Sequence, residues 1–212
     1  MATAASTIAK LLRKEIIGGV RRSGERVMQD GIASAYGVSQ TIVREAFSQL
    51  VAEGFLTAEP RRGVSVAALN ADDALELAEL RSFLEAKALR YSIPLLTAEQ
   101  LQTSADILEH LNGCEDENEV LDWNAAFHDS LYAAAPRPRT LALVTSLRLN
   151  FDRYFRFVAE EPDQLQQSHA EHQQLLELCV ARKAAAASRL VAAHILQTGE
   201  VVCRRLQSVS HA

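Results

Sequence analysis

The sequence predicts a mainly α chain in two parts. Residues 1–68 form a small unit of three helices closed by a β-hairpin, and residues 69–212 an all-α antiparallel bundle of six helices. Three observations predict this. Gly37 and Ser39 open a stretch in which Ile42, Val43, Ala46, Phe47, Leu50 and Val51 make one apolar helical stripe. Two short β-like runs, 55–58 and 64–67, flank the turn-forming segment Glu59-Pro60-Arg61-Arg62-Gly63, and no strand-like alternation follows residue 70. The charge also changes sign along the chain. Residues 1–66 hold nine Lys/Arg against six Asp/Glu, and the remainder thirteen against twenty-one.

In the first part, Ser6 can cap an opening helix with Ile8, Leu11, Leu12, Ile16 and Ile17 along one stripe, ended by Gly18-Gly19. Arg21 to Arg26 reads as a polar connector. Ile32 to Tyr36 is a short helix stopped at Gly37. The helix that follows is capped by Ser39 and shows Gln40, Thr41, Arg44, Ser48 and Gln49 on its polar face. Two helices joined by a tight turn with glycine form a helix-turn-helix, and the hairpin makes it winged. Polar side chains on the second helix suit phosphates and base edges. The wing arginines Arg61 and Arg62 suit backbone phosphates or the minor groove.

In the second part, Asn70 with Asp72 and Asp73 opens a helix to about Ser92, and Pro94 follows its end. Thr97 and Gln100 form a capping box for a helix to about Asn112. A third helix runs from Glu115 to Ala135 and is stopped by Pro136. A fourth runs from about Arg139 to Glu161, a fifth from Pro162 to about Ala181, and a sixth from about Ala184 to Gln207. Short connections between six helices imply an antiparallel bundle.

Composition narrows the function. Hydrophobic content of 48% with 23% charged residues and a net charge of −5 is ordinary for a globular chain. Cys114, Cys179 and Cys203 are odd in number, widely spaced and without a CxxC, which suggests a reducing, cytoplasmic setting. Charged residues Lys10, Arg13, Lys14 and Glu15 interrupt any signal-like run, and no uncharged apolar stretch is long enough to suggest a membrane span.

Three histidines stand on apolar helical stretches: His128 in Asn124-Ala-Ala-Phe-His128, His172 in Glu171-His172-Gln-Gln-Leu-Leu, and His194 in Ala-Ala-His194-Ile-Leu. Asn124 and His128, one turn apart, share a face. Three helices each presenting a nitrogen donor could converge on one divalent transition metal. A lone histidine on such a face is more often an ordinary core residue with one hydrogen bond than a ligand, and His169 competes with His172. Arg81 also lies among apolar neighbours. It pairs either with Glu85, one turn on, or with a carboxylate ligand.

These residues resemble a known family. Gly24-Glu25-Arg26, Ile32-Ala33, Tyr36-Gly37-Val38-Ser39, Thr41-x-Val43-Arg44-Glu45-Ala46, Leu50-x-x-Glu53-Gly54 and Pro60-Arg61-Arg62-Gly63-x-x-Val66 are similar to the winged helix of GntR-family transcription regulators. Glu79-Leu80-Arg81-x-x-x-Glu85, Phe127-His128, Glu171-His172 and His194 resemble the FCD effector domain of the FadR subfamily, and six helices look like its shorter, VanR-type variant. The resemblance implies a homodimeric regulator, a repressor or an activator, that binds a palindromic operator through Arg26, Ser39, Gln40, Thr41, Arg44, Arg61, Arg62 and Gly63. It implies a divalent metal, zinc or nickel, held by Asn124, His128, His172 and His194, beside a small carboxylate effector held by Arg81.

The resemblance also locates departures. The family's aspartate stands where Asn124 is, so one negative charge is missing at the metal. It usually has arginine at Gln40 and proline at Ile42. Glutamine pairs bidentately with adenine, whereas arginine prefers guanine, so the operator is expected to differ at the base Gln40 reads. Ser23 replaces a usual proline, and Asp30 a basic or polar residue.

A ligand-responsive regulator, with repression the expected sign, is therefore the leading reading. A direct metal sensor is the alternative, although soft cysteine ligation would favour it and the cysteines are scattered. A metalloenzyme is disfavoured. No general base is spaced toward the site, and a DNA-binding half would be superfluous.

Overall fold

The computed structural model describes residues 3–60, 62–114, 116–159 and 161–210. Arg61 and Glu115 lie outside the described residues. The chain separates into two compact units, Met1–Leu69 and Asn70–Ala212.

In the first unit α1 spans Ala4–Ile17. Its cap is Thr3 rather than Ser6: the Ser6 amide donates to Thr3 Oγ1 at 3.1 Å, and Ser6 lies inside the first turn. Both hydroxyls can cap; Thr3 wins because the apolar stripe begins a turn earlier, at Ala5, which is buried. A strand β1 (Arg26–Val27) follows, then α2 (Gln29–Tyr36) and α3 (Gln40–Ala52). Gly37 between the helices has φ +62°, a left-handed conformation that glycine adopts without strain. Ser39 caps α3, accepting from the Ile42 amide at 3.4 Å. Val43, Ala46 and Leu50 are fully buried and face α1, where Ala9 and Leu12 are buried in turn. The hairpin is β2 (Leu56–Glu59) and β3 (Gly63–Val66).

The sheet has three strands in the order β1-β3-β2, with Arg26 opposite Ser65. The expected polar connector therefore ends in a strand. Two residues, one of them an exposed arginine, carry no alternation that sequence could register, and pairing with β3 alone defines them.

In the second unit α4 spans Ala71–Ser92, capped by Asn70, which accepts from the Asp72 amide at 2.7 Å. α5 (Ala98–Gly113) has the expected capping box, Thr97 with Gln100. α6 is Glu117–Tyr132 and α7 Pro138–Phe151. α9 is Pro162–Val180 and α10 Ala184–Ser210. α10 packs tightly on α4. A Cβ added to Gly199 would stand 2.4 Å from the Cβ of Ala78, so only glycine permits this approach.

The expected single helix over 139–161 is broken. α7 ends at Phe151, a 3-10 turn occupies Asp152–Tyr154, and α8 is Phe155–Ala159. The unit thus has seven α-helices among the described residues, not six, so the helix count no longer supports the shorter, VanR-type variant. No proline or glycine causes the break. Side chains on either side are anchored in different places. The Phe151 ring lies 5.1 Å from the Arg81 guanidinium, whereas Tyr154 donates to Asp73 at 2.7 Å. Tightening to 3-10 geometry lets both contacts form.

Candidate functional site

Two groups of residues stand out. On the first unit, Ser39, Gln40, Thr41 and Arg44 are exposed along one side of α3. The Gln40 carbonyl is held by Gln29 Nε2 at 2.8 Å, which ties the start of α3 to α2 and leaves the Gln40 side chain outward. At the wing, Gly63 has φ +88°, and a Cβ there would meet the Arg26 guanidinium at 3.4 Å. Arg26 thus lies over the hairpin glycine and adds a cation to the wing. Arg62 is exposed and pairs with Glu59 at 3.3 Å. Surface pairs of this kind are weak and readily exchanged for a phosphate.

On the second unit, His128 of α6, His172 of α9 and His194 of α10 come together, each buried, with ligand nitrogens within 4.8 Å of one another. His172 Nε2 stands 3.3 Å from His194 Nε2. Two nitrogens bound to one tetrahedral zinc, each at about 2.0–2.1 Å, are separated by about 3.3 Å. Two of the three outer nitrogens are oriented by the protein, and His172 Nδ1 is buried without a hydrogen-bond partner among the described residues. His194 Nδ1 meets Glu171 Oε2 at 2.7 Å, and His128 Nδ1 meets the Tyr132 hydroxyl at 3.2 Å. The tautomers follow from these partners. With a carboxylate on one side and a hydroxyl already donating to Glu85 on the other, both Nδ1 atoms carry the proton, and both Nε2 lone pairs face inward. Burial holds His128 and His172 well below the usual imidazole range, and each is pushed further by its histidine neighbours. Neutral imidazoles are the form that ligates. The donor set fits a divalent transition metal.

The histidines line a cavity of about 70 Å³, shared with Asn124, Arg81 and Asp152. That is room for on the order of five waters, hence for an ion and a small acid. Arg81 makes the first of the two contacts considered for it, the pair with Glu85. Its Nε donates to Glu85 Oε1 at 2.8 Å, and the residue also lines the cavity. Glu85 accepts from the Tyr132 hydroxyl at 2.8 Å as well, so one hydrogen-bonded chain runs from Arg81 through Glu85 and Tyr132 to His128. Arg148 is locked in a bidentate pair with Asp129, 2.7 Å on each arm. His169 is exposed and outside the cluster, although it borders the cavity.

A family model described as "Bacterial regulatory proteins, gntR family" matches residues 4–66, and the FCD domain model matches residues 76–197. The chain belongs to the GntR family of bacterial regulatory proteins. It is accordingly a DNA-binding transcription regulator with an FCD domain, of the FadR type, and not an enzyme. Similar to this GntR regulator is the "Uncharacterized HTH-type transcriptional regulator BphR" of Paraburkholderia xenovorans, 31% identical over 201 residues, which are 90% of this chain and 82% of the relative. The "HTH-type transcriptional repressor GlaR" of Escherichia coli is 27% identical over 87% of this chain and 89% of its own. Among solved structures, a GntR family member from Pseudomonas syringae is 34% identical, with a TM-score of 0.58 over 97% of this chain and 88% of its own. The E. coli McbR/YncC structure, 20% identical, shares the fold at a TM-score of 0.84 over 97% of this chain and 100% of its own.

For this GntR regulator the structure brings together every histidine that sequence reasoning selected, and it places Asn124 on the cavity wall. Sequence reasoning missed Tyr132, Glu171 and Asp152. Tyr132, one turn after His128, was detectable in principle, because i,i+4 neighbours share a face. Glu171 orients a histidine on another helix, which no local spacing reveals.

Proposed function

We propose that this regulator is a homodimeric repressor of palindromic operators, and that a small carboxylate bound beside a divalent metal, zinc or nickel, controls it. The observation that carries this reading is the convergence of three inward-facing Nε2 atoms on a small cavity that also contains Arg81. His128, His172 and His194 would hold the ion, with Asn124 as a weaker oxygen donor. The ion would supply a concentrated positive charge for an acid's carboxylate. Arg81, its Nε fixed on Glu85, would turn its remaining donors to the same carboxylate. The reading of a direct metal sensor rests on the same histidines but leaves Arg81 in the cavity wall without a ligand to bind. GlaR's printed name as a repressor supports the sign. The reducing setting suggested by the free cysteines supports a cytoplasmic regulator, and no described helix is long and apolar enough to cross a membrane.

Operator contact is assigned to Arg26, Ser39, Gln40, Thr41, Arg44, Arg62 and Gly63, together with Arg61. Footprinting on the protein's own upstream region tests this; absence of sequence-preferring, salt-sensitive binding refutes it. Arg44→Ala is expected to cost about 1–3 kcal/mol of specific binding. Equal operator affinity of the variant and the wild type would remove Arg44 from base reading.

The dimer contact is assigned to the outer face of α4. Leu80 is 47% exposed, Phe83 68% and Tyr91 37%, and Phe83 and Tyr91 line, with Lys87, Arg90 and Arg189, a groove beside the small residues Ala185, Ser188 and Ala192 of α10. Phe83→Arg is expected to convert a dimer into a monomer in sedimentation experiments at micromolar concentration. A variant that sediments like the wild-type dimer places the contact elsewhere.

A further inference from the structure

Asp152 is a half-buried carboxylate that the network described above does not use. It sits in the 3-10 turn between α7 and α8 and lines the cavity with the three histidines, Asn124 and Arg81. Its carboxylate makes no hydrogen bond and no ion pair among the described residues. The nearby cations are already engaged, Arg81 with Glu85 and Arg148 with Asp129. A carboxylate partly withdrawn from water and without a partner gains by meeting a cation.

Charge counting indicates which cation. The Arg81–Glu85 and Arg148–Asp129 pairs cancel, and Asn124 is neutral. A divalent ion held by three neutral imidazoles would leave two positive charges in a small cavity. Among the described residues that line the cavity, Asp152 is the one acidic side chain. It stands outside the tight group of histidine nitrogens, so it would act on an ion there through the cavity rather than as a ligand. From these observations we infer that Asp152 is the counter-charge of the metal centre and supplies the negative charge that Asn124 does not. This rests on the metal reading above and deepens it. With Asp152 ionised, one further negative charge neutralises the site, which matches a monocarboxylate effector. Burial raises the Asp152 carboxyl to about 6, against the pull of Arg81 and Arg148.

Zinc affinity, measured on the full-length protein by competition with a chromophoric chelator, tests the inference, with thermal unfolding of the metal-free protein alongside. Asp152→Asn is expected to weaken zinc binding roughly 10–100-fold. The metal-free variant should unfold at the same temperature as the wild type or higher, since an unpaired, half-buried charge has been removed. Asn124→Asp in the Asp152→Asn background should recover most of the lost affinity, because the charge returns to the same cavity. Zinc affinity within twofold of wild type for Asp152→Asn overturns the inference. So does a metal-free Asp152→Asn protein that unfolds at a clearly lower temperature, which marks a structural role. A wild-type protein that binds no zinc overturns the metal reading itself and this inference with it.

Discussion

Replacing His194 with alanine is expected to abolish tight zinc binding, with a loss larger than the roughly 10–100-fold that follows removal of an outer-shell partner. His194 is one of three converging nitrogens, and its Nε2 is the closest to that of His172, at 3.3 Å. Its removal also frees Glu171, whose carboxyl is held below the usual range chiefly by its bond to His194. Metal linkage gives an independent readout. Zinc at a hundred times its dissociation constant should stabilise the wild type by about 2.7 kcal/mol, and the variant should show almost none of that shift. His172→Ala should behave in the same way. Glu171→Gln should fall between, because it leaves the ligand but loosens its orientation. Retention of wild-type affinity and of the zinc-dependent stabilisation in His194→Ala would show that the cluster is ordinary core packing.

The second large effect is on stability. Arg81→Ala is expected to destabilise the fold by about 3–5 kcal/mol, read from urea unfolding of the metal-free protein. Glu85 is fully buried, and two donors reach its carboxylate: Arg81 Nε and the Tyr132 hydroxyl, each at 2.8 Å. Without Arg81 the carboxylate is a buried charge with a single neutral donor. It must either stay ionised at high cost or take up a proton. Converting both partners to apolar residues, Arg81→Met with Glu85→Leu, should cost much less than the single change, because no charge is then stranded. A loss under about 1 kcal/mol for Arg81→Ala would mean that Glu85 has another partner.

The parts of the molecule legible in sequence were those governed by local rules. The α3 stripe, the left-handed Gly37, the Thr97–Gln100 capping box and the Asn70 cap all follow from nearest-neighbour chemistry and appear as expected. Other features depend on contacts between distant segments. β1 exists because Arg26 and Val27 meet β3, and the break at Asp152 exists because Phe151 is anchored at the middle of α4 and Tyr154 at its first turn. The histidines could be chosen individually by their apolar flanks. That they meet, and that Tyr132 and Glu171 orient them, depends on how α6, α9 and α10 are laid side by side. Asp152 was invisible for the same reason: in sequence it reads as one more charge on a long helix, and only the 3-10 turn directs it into the cavity.

The central claim is that an acid held at the metal, rather than the metal itself, switches operator binding. Quantitative footprinting with metal-free protein, zinc-loaded protein and zinc-loaded protein plus acetate, lactate or succinate tests it most directly. The account predicts that zinc alone leaves operator affinity within a few-fold, and that at least one of these acids shifts it by about 5–150-fold, the usual range of coupling between two sites. A shift produced by zinc alone, with no further change from any acid, would contradict it and make the protein a metal sensor.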